Sequence, residues 1–195
     1  MKKKILLLSA FTITAITTII SCEQRENKSV AIEAVSNDSL IKRGAYLVTI
    51  AGCDDCHTPK KMGPMGPEPD MDKRLSGYRM DVPLPAIDTN VIKKGWALAN
   101  SELTAWAGPW GASFSSNLTS DDTGIGNWTE EQFRKAFTEG KWKGMDGSRT
   151  LLPPMPWQNF SHMTAIDVKA IFAFLKSTKP IKNVEPSIIS FSALK

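Results

Sequence analysis

Cys53-Asp54-Asp55-Cys56-His57 restricts this 195-residue chain more than any other feature. Two thiols separated by two residues face the same side of one backbone turn, and the imidazole follows directly. This is the c-type haem attachment pattern: both sulfurs add to the vinyl groups of one porphyrin as thioethers, and the imidazole meets the iron. The chain holds three Cys and two His. Chance would place Cys at +3 and His at +4 from Cys53 on the order of once in ten thousand times. Competing uses of the pair fit poorly. A structural zinc site wants four ligands, and the other cysteine is Cys22. A thioredoxin-like pair follows a strand and needs no His, whereas a helical pattern precedes this one. A structural disulfide leaves His57 without a role. The expected cofactor is one covalent haem c, held by Cys53 and Cys56, with His57 on the iron.

A six-coordinate iron needs a second ligand. The candidates are Met62, Met65, Met71, Met80, Met145, Met155, Met163 and His162. Met155 is the favoured one. It stands in Leu151-Leu152-Pro153-Pro154-Met155-Pro156-Trp157, where prolines on both sides fix φ and reduce the freedom lost when a weak thioether ligand binds. Trp157 is expected to shield the site or to donate its N–H to a haem propionate. His162 would give a bis-His iron, but it lies just before a helix cap and reads as surface. Met62 and Met65 sit among glycines and read as loop packing.

The N-terminus reads as an export signal. Lys2 to Lys4 precede an apolar run, Ile5 to Ile20, that is shorter than the roughly 20 residues of a spanning helix. Its end, Ile19-Ile20-Ser21-Cys22, resembles the lipobox of bacterial lipoproteins. In that class the cysteine becomes the first mature residue and carries acyl chains, so Cys22 is the expected lipidation site. Two or more chains anchor stably without a transmembrane span. Removal of 1–21 takes three of the 24 basic residues and none of the 20 acidic ones, leaving 21 against 20. So even a balance excludes a nucleic-acid binder, which needs a concentrated basic surface. The expected organisation is a signal peptide over 1–21, a tether over 22–37, one haem domain over 38–182 and a C-terminal tail over 183–195.

Hydrophobic spacing predicts three helices. The first spans about 39–51, with Ser39 as cap and Leu40, Tyr46, Leu47 and Ile50 on its apolar face. The second follows Thr129-Glu130-Glu131-Gln132, a capping box, with Phe133, Ala136 and Phe137 inward and Gly140 as the stop. The third follows Thr164 and buries Val168, Ile171, Phe172 and Leu175; Pro180 closes it. Gly44, costly in mid-helix, suggests a close helix crossing filled by Phe172 or Phe174. Residues 58–127 hold seven prolines and no long periodic run. They are expected to wrap something or to carry short elements that the pattern does not place.

With these pieces in place the chain resembles a class I c-type cytochrome domain. The resemblance rests on Gly44-Ala45-Tyr46-Leu47 in the first helix, Cys53 to His57, the Met155 loop, and Ile171-Phe172-Ala173-Phe174-Leu175 in the last helix. In that family the first and last helices cross closely at those positions. More narrowly, the stretch Asn117 to Trp128, then Phe133, Gly140 and Pro154-Met155-Pro156-Trp157, is similar to haem domains of cytochrome subunits that accompany bacterial periplasmic dehydrogenases. Those subunits often carry several haem motifs; this chain has one. The resemblance implies an all-α fold, helices packed around one haem, with a long loop-rich insertion and with His57 and Met155 as axial ligands. The expected function is electron transfer, not enzymatic catalysis. The expected partners are redox proteins such as a dehydrogenase, an oxidase or another cytochrome. The expected location is the periplasmic side of the envelope. The alternative is a haem-based small-ligand sensor or haem enzyme with an open or labile distal position.

Overall fold

The computed structural model describes residues 36–194. Cys22 and the expected signal segment lie outside the described residues. The elements run α1 (Asn37–Ile50), α2 (Cys53–His57), β1 (Lys60–Gly63), β2 (Gly66–Pro69), α3 (Thr89–Lys93), β3 (Leu98–Ala99), β4 (Ala105–Gly108), β5 (Gly111–Phe114), α4 (Glu130–Glu139), α5 (Trp157–Phe160) and α6 (Ala165–Lys176). Among the described residues no helix is long and apolar enough to cross a membrane.

Ser36, not Ser39, caps α1: its Oγ accepts the Ser39 N–H at 3.2 Å. The helix buries Leu40, Gly44, Leu47 and Val48, a stripe at helical spacing. Tyr46 and Ile50, expected on that stripe, are 61% and 60% exposed, because the buried face centres on Gly44. A Cβ there would lie 2.0 Å from the Ala170 carbonyl oxygen and 2.7 Å from Phe174 Cβ of α6. The crossing is therefore real, and it is filled by Ala170 and Phe174. Arg43 pairs with Asp167 at 2.5 Å and ties α1 to the first turn of α6. Thr129 and Gln132 form the reciprocal capping box of α4, at 2.9 and 3.1 Å, and Gly140 ends that helix in the left-handed conformation.

The expectation of an all-α fold fails in residues 58–127. That stretch folds two antiparallel sheets, β1-β2 and β3-β4-β5. The strands have two to four residues, too short for an alternating pattern to register. Two turn signals were nevertheless present. Gly63-Pro64-Met65-Gly66 and Gly108-Pro109-Trp110-Gly111 each hold two residues between a pair of facing glycines.

The main core gathers Leu40, Leu47, Val48, Ile125, Phe133, Phe137, Phe160, Ile171 and Leu175. A smaller one, Ile92, Ala107 and Ala112, packs with Leu98, Phe114, Ile189 and Phe191. The segment set apart as a C-terminal tail takes part in this second core. Ala112 and Ile189 exchange backbone hydrogen bonds at 2.8 and 3.0 Å. The Asn183 side-chain amide donates to the carbonyls of Ser76 and Tyr78, both at 2.7 Å.

Candidate haem site

The attachment motif forms a helix of its own. Gly52, at φ +68°, turns the chain out of α1 and into α2, a backbone conformation that glycine adopts freely. The motif helix is held from outside. Asp54 accepts two hydrogen bonds from Arg74, at 2.9 and 2.7 Å, and one from Thr58 at 2.8 Å. Burial alone would raise the Asp54 pKa, but these bonds outweigh it and hold the carboxyl below its ordinary value. Lys60 Nζ donates to the carbonyls of Asp55 at 2.9 Å and Thr58 at 2.5 Å. It thereby places a positive charge at the negative end of the helix.

His57 Nδ1 lies 2.8 Å from the Ser116 carbonyl oxygen. A carbonyl only accepts, so the bond fixes the proton on Nδ1 and leaves the Nε2 lone pair free for a metal. Burial lowers the His57 pKa, partly opposed by this bond, so the ring is held in the neutral, ligating form. Cys53 and Cys56 are not joined in a disulfide. Burial, with help from Asp54, pushes the Cys53 thiol up to about 12, and burial also raises Cys56. A redox-exchange pair needs the opposite, a depressed thiol pKa.

All three residues line a cavity of about 580 Å³, within the roughly 300–1,000 Å³ of ligand-sized sites. Its floor is apolar and includes Ile125, Phe133, Phe137, Phe160, Ile171 and Leu175. Met155 lines it too. The other iron-ligand candidates do not: His162 and Met62, Met65, Met71, Met80 and Met145 are exposed, and Met163 packs against the core. The Met155 loop is tied down at two places. Ser113 Oγ donates to the Pro153 carbonyl at 2.7 Å, and the Leu151 N–H donates to the Gly140 carbonyl at 2.7 Å. Trp157 stands elsewhere. It begins α5, its ring packs over Gly140, and it is not among the residues that line the cavity.

Residues not singled out in the sequence complete the wall. Arg149 lies over the Trp142 ring, 4.0 Å from its centroid, and both line the cavity with Lys143, Trp106 and Trp128. Burial lowers the Arg149 pKa, and among the described residues no carboxylate pairs with it. A half-buried, unpaired guanidinium at a cavity calls for an anion. The pocket thus offers what a haem needs: two thiols, an imidazole with a free nitrogen, a thioether, an apolar floor and positive charge for carboxylates.

No protein-family model matches the chain. Curated proteins do. The chain is 29% identical over 181 residues to the fructose dehydrogenase cytochrome subunit of Gluconobacter japonicus, covering 92% of this chain and 30% of that one. It is 29% identical over 157 residues to the cytochrome c subunit of the quinone alcohol dehydrogenase of Gluconobacter oxydans, covering 78% and 25%. It is 29% identical over 148 residues to the gluconate 2-dehydrogenase cytochrome c subunit of Pantoea cypripedii, covering 75% and 25%. The chain therefore spans less than a third of the length of these relatives. These matches make the chain similar to c-type cytochromes, which implies haem c. Within that class its relatives are cytochrome c subunits of bacterial dehydrogenases.

Proposed function

We propose that this chain carries one haem c, bound through Cys53 and Cys56 with His57 and Met155 as axial ligands, and passes single electrons between redox proteins. A haem bound there supplies one-electron exchange between ferric and ferrous iron. The chain's own residues do the rest. His57 presents a neutral nitrogen, held in orientation by Ser116. Met155 arrives on a braced loop, and a thioether raises the potential relative to a second imidazole. Arg149 and Lys143 would balance the charge of the propionates, beside or in place of the N–H expected from Trp157. The apolar floor keeps water from the iron. With His57 and Met155 both holding the iron, no position would be left for substrate, so the chain would serve as a carrier or as a non-catalytic subunit. The cytochrome c relatives favour a dehydrogenase as the electron donor. A lipid on Cys22 would hold the domain at the periplasmic side of the envelope.

The single observation that carries this reading is the meeting of His57, with Nε2 free, and Met155 in one apolar cavity beside both thiols. Intact mass after acid–acetone extraction tests the attachment. The polypeptide should keep one haem, and its first residue should be acylated Cys22. A protein stripped of haem by extraction refutes covalent attachment. A mature chain that starts elsewhere without lipid refutes the anchor.

A further inference from the structure

Behind His57 the hydrogen-bond chain does not end at Ser116. The Ser116 carbonyl accepts from His57 Nδ1 at 2.8 Å, and the Ser116 hydroxyl donates to Glu185 Oε1 at 3.0 Å. One residue thus joins the imidazole to a carboxylate 69 positions further along. Glu185 lines the same cavity, together with Val184, Pro186 and Ile188. It is half-buried, and among the described residues no Lys or Arg pairs with it. Its placement is built. On one side the Asn183 N–H donates to Thr123 Oγ1 at 3.0 Å, and the Asn183 side chain is bound to Ser76 and Tyr78. On the other side Ile189 pairs with Ala112. A glutamate strung between two anchors, with its carboxylate on the residue that orients the ligand, exceeds what chain closure requires.

We propose that Glu185 is a positioning residue for His57, which acts through Ser116 to set the reduction potential of the bound iron. The inference rests on the reading of His57 as an iron ligand. Two effects follow from the geometry. The Ser116 hydroxyl is fixed, so its carbonyl holds the imidazole in one orientation, as partners beyond a metal ligand generally do. The carboxylate charge near the cavity favours the oxidised iron, which carries one more positive charge than the reduced iron, and water screens that attraction poorly there. The charge sets the direction. Glu185 lowers the potential below what His/Met ligation alone would give.

The test is a mediated redox titration of the full holoprotein. Glu185→Gln keeps an acceptor for Ser116 but removes the charge. It should shift the electron-exchange equilibrium toward the reduced form roughly threefold to tenfold, an upward shift of about 28–59 mV for a one-electron couple. Glu185→Asp keeps the charge and should restore most of the wild-type value, which a merely structural role would not do. Should Glu185→Gln not accumulate as holoprotein, Ser116→Ala is titrated instead. It cuts the link to Glu185 but keeps the carbonyl, and a smaller upward shift is expected. An unchanged potential in whichever of these two variants is titrated overturns the proposal. So does an Asp variant that matches Gln. The far-red band of iron–thioether ligation, recorded on the same samples, separates the two levels of inference. If the wild type shows the band and the potential does not move, only the role of Glu185 falls. If the wild type lacks the band, the assignment of Met155 falls, and if its haem is lost on acid–acetone extraction, the attachment that would place His57 on the iron falls and the role of Glu185 with it.

Discussion

The helices α1, α4 and α6 and the strand-bearing stretch 58–127 are held by different means, and α4, α6 and that stretch line one cavity. The helices are held by apolar stripes: Leu40, Leu47 and Val48 against Val168, Ile171 and Leu175, with Phe133 and Phe137 beside them. The strand-bearing stretch contributes little to that core beyond Leu75, Leu118 and Ile125. Besides the small core around Ile92, Ala107 and Ala112, it is held by side chains that reach distant backbone. Asn117 donates from one amide nitrogen to Ile181 O at 2.7 Å, Thr123 Oγ1 at 3.1 Å and Asn183 O at 3.2 Å. Its oxygen accepts from the Thr119 N–H and hydroxyl, at 2.9 and 2.8 Å. Yet this stretch touches both proposed ligand segments, through Ser116 on His57 and Ser113 on the Met155 loop. Hydrophobic burial builds the cage, and directional hydrogen bonds aim the ligands. The first is non-directional; the second fixes geometry.

The comparison can be broken where each region has least tolerance. The largest effect is expected at the α1–α6 crossing. Gly44→Val puts atoms into the Ala170 carbonyl, and backbone there cannot step aside. Its loss should reach at least about 3 kcal/mol in denaturant unfolding of the holoprotein. A variant that unfolds like wild type would mean that the helices do not meet as described. Asn117→Ala should cost about 2–3 kcal/mol, because it strands buried acceptors and donors at 119, 181 and 183. If it is neutral, the stretch 58–127 is not held by this hub. Ser113→Ala removes two neutral hydrogen bonds, one donated to the Pro153 carbonyl and one accepted from Trp110 Nε1, about 1–2 kcal/mol together. Its more telling readout is a weakened far-red band, since the loop that bears Met155 loses a tie. The smallest effect concerns the surface after α4. Hydrogen bonds from Lys135 and Lys141 push Asp146 down to about 2, from an ordinary 3.8. A depressed carboxyl adds stability that is present above 3.8 and lost as the pH falls toward 2. Asp146→Asn should lose that increment, a small cost at neutral pH because exposed pairs contribute little, and its stability should fall less than that of wild type as the pH drops from 3.8 toward 2. A large loss at neutral pH would contradict this.

The two regions also differ in how far the sequence alone reveals them. The helices carry their own instructions. Thr129 with Gln132, Thr164 with Asp167, and the apolar spacing of 133, 136 and 137 or 168, 171 and 175 are local signals, and the helices follow them. Two local readings of α1 fail: Ser39 as its cap, where Ser36 serves, and Tyr46 and Ile50 on its stripe, the latter because the true face turns on a glycine, which has no hydropathy signal. Gly44 itself was legible as a crossing, although its neighbour Ala170 was not. In 58–127 the deciding contacts are non-local: Ser116 with Glu185 across 69 positions, Asn183 with Ser76 across 107. No spacing rule encodes such partners. The proposed iron ligands and attachment cysteines could be singled out because their chemistry is tied to a short motif. Ser113, Ser116, Arg149 and Glu185 could not, since polar residues of these types are common and only the fold brings them to the cavity.

Carbon monoxide tests the closed site most directly. On the proposed reading His57 and Met155 would both hold the iron, with the Met155 loop braced by Ser113. The reduced wild-type protein should therefore bind carbon monoxide poorly, with little change in its absorption spectrum. Met155→Ala should bind it readily, lose the far-red band of the oxidised form and show a lower potential, with haem still attached through Cys53 and Cys56. Fast, tight binding by the wild type would contradict the account and favour a ligand sensor or haem enzyme with an open distal face.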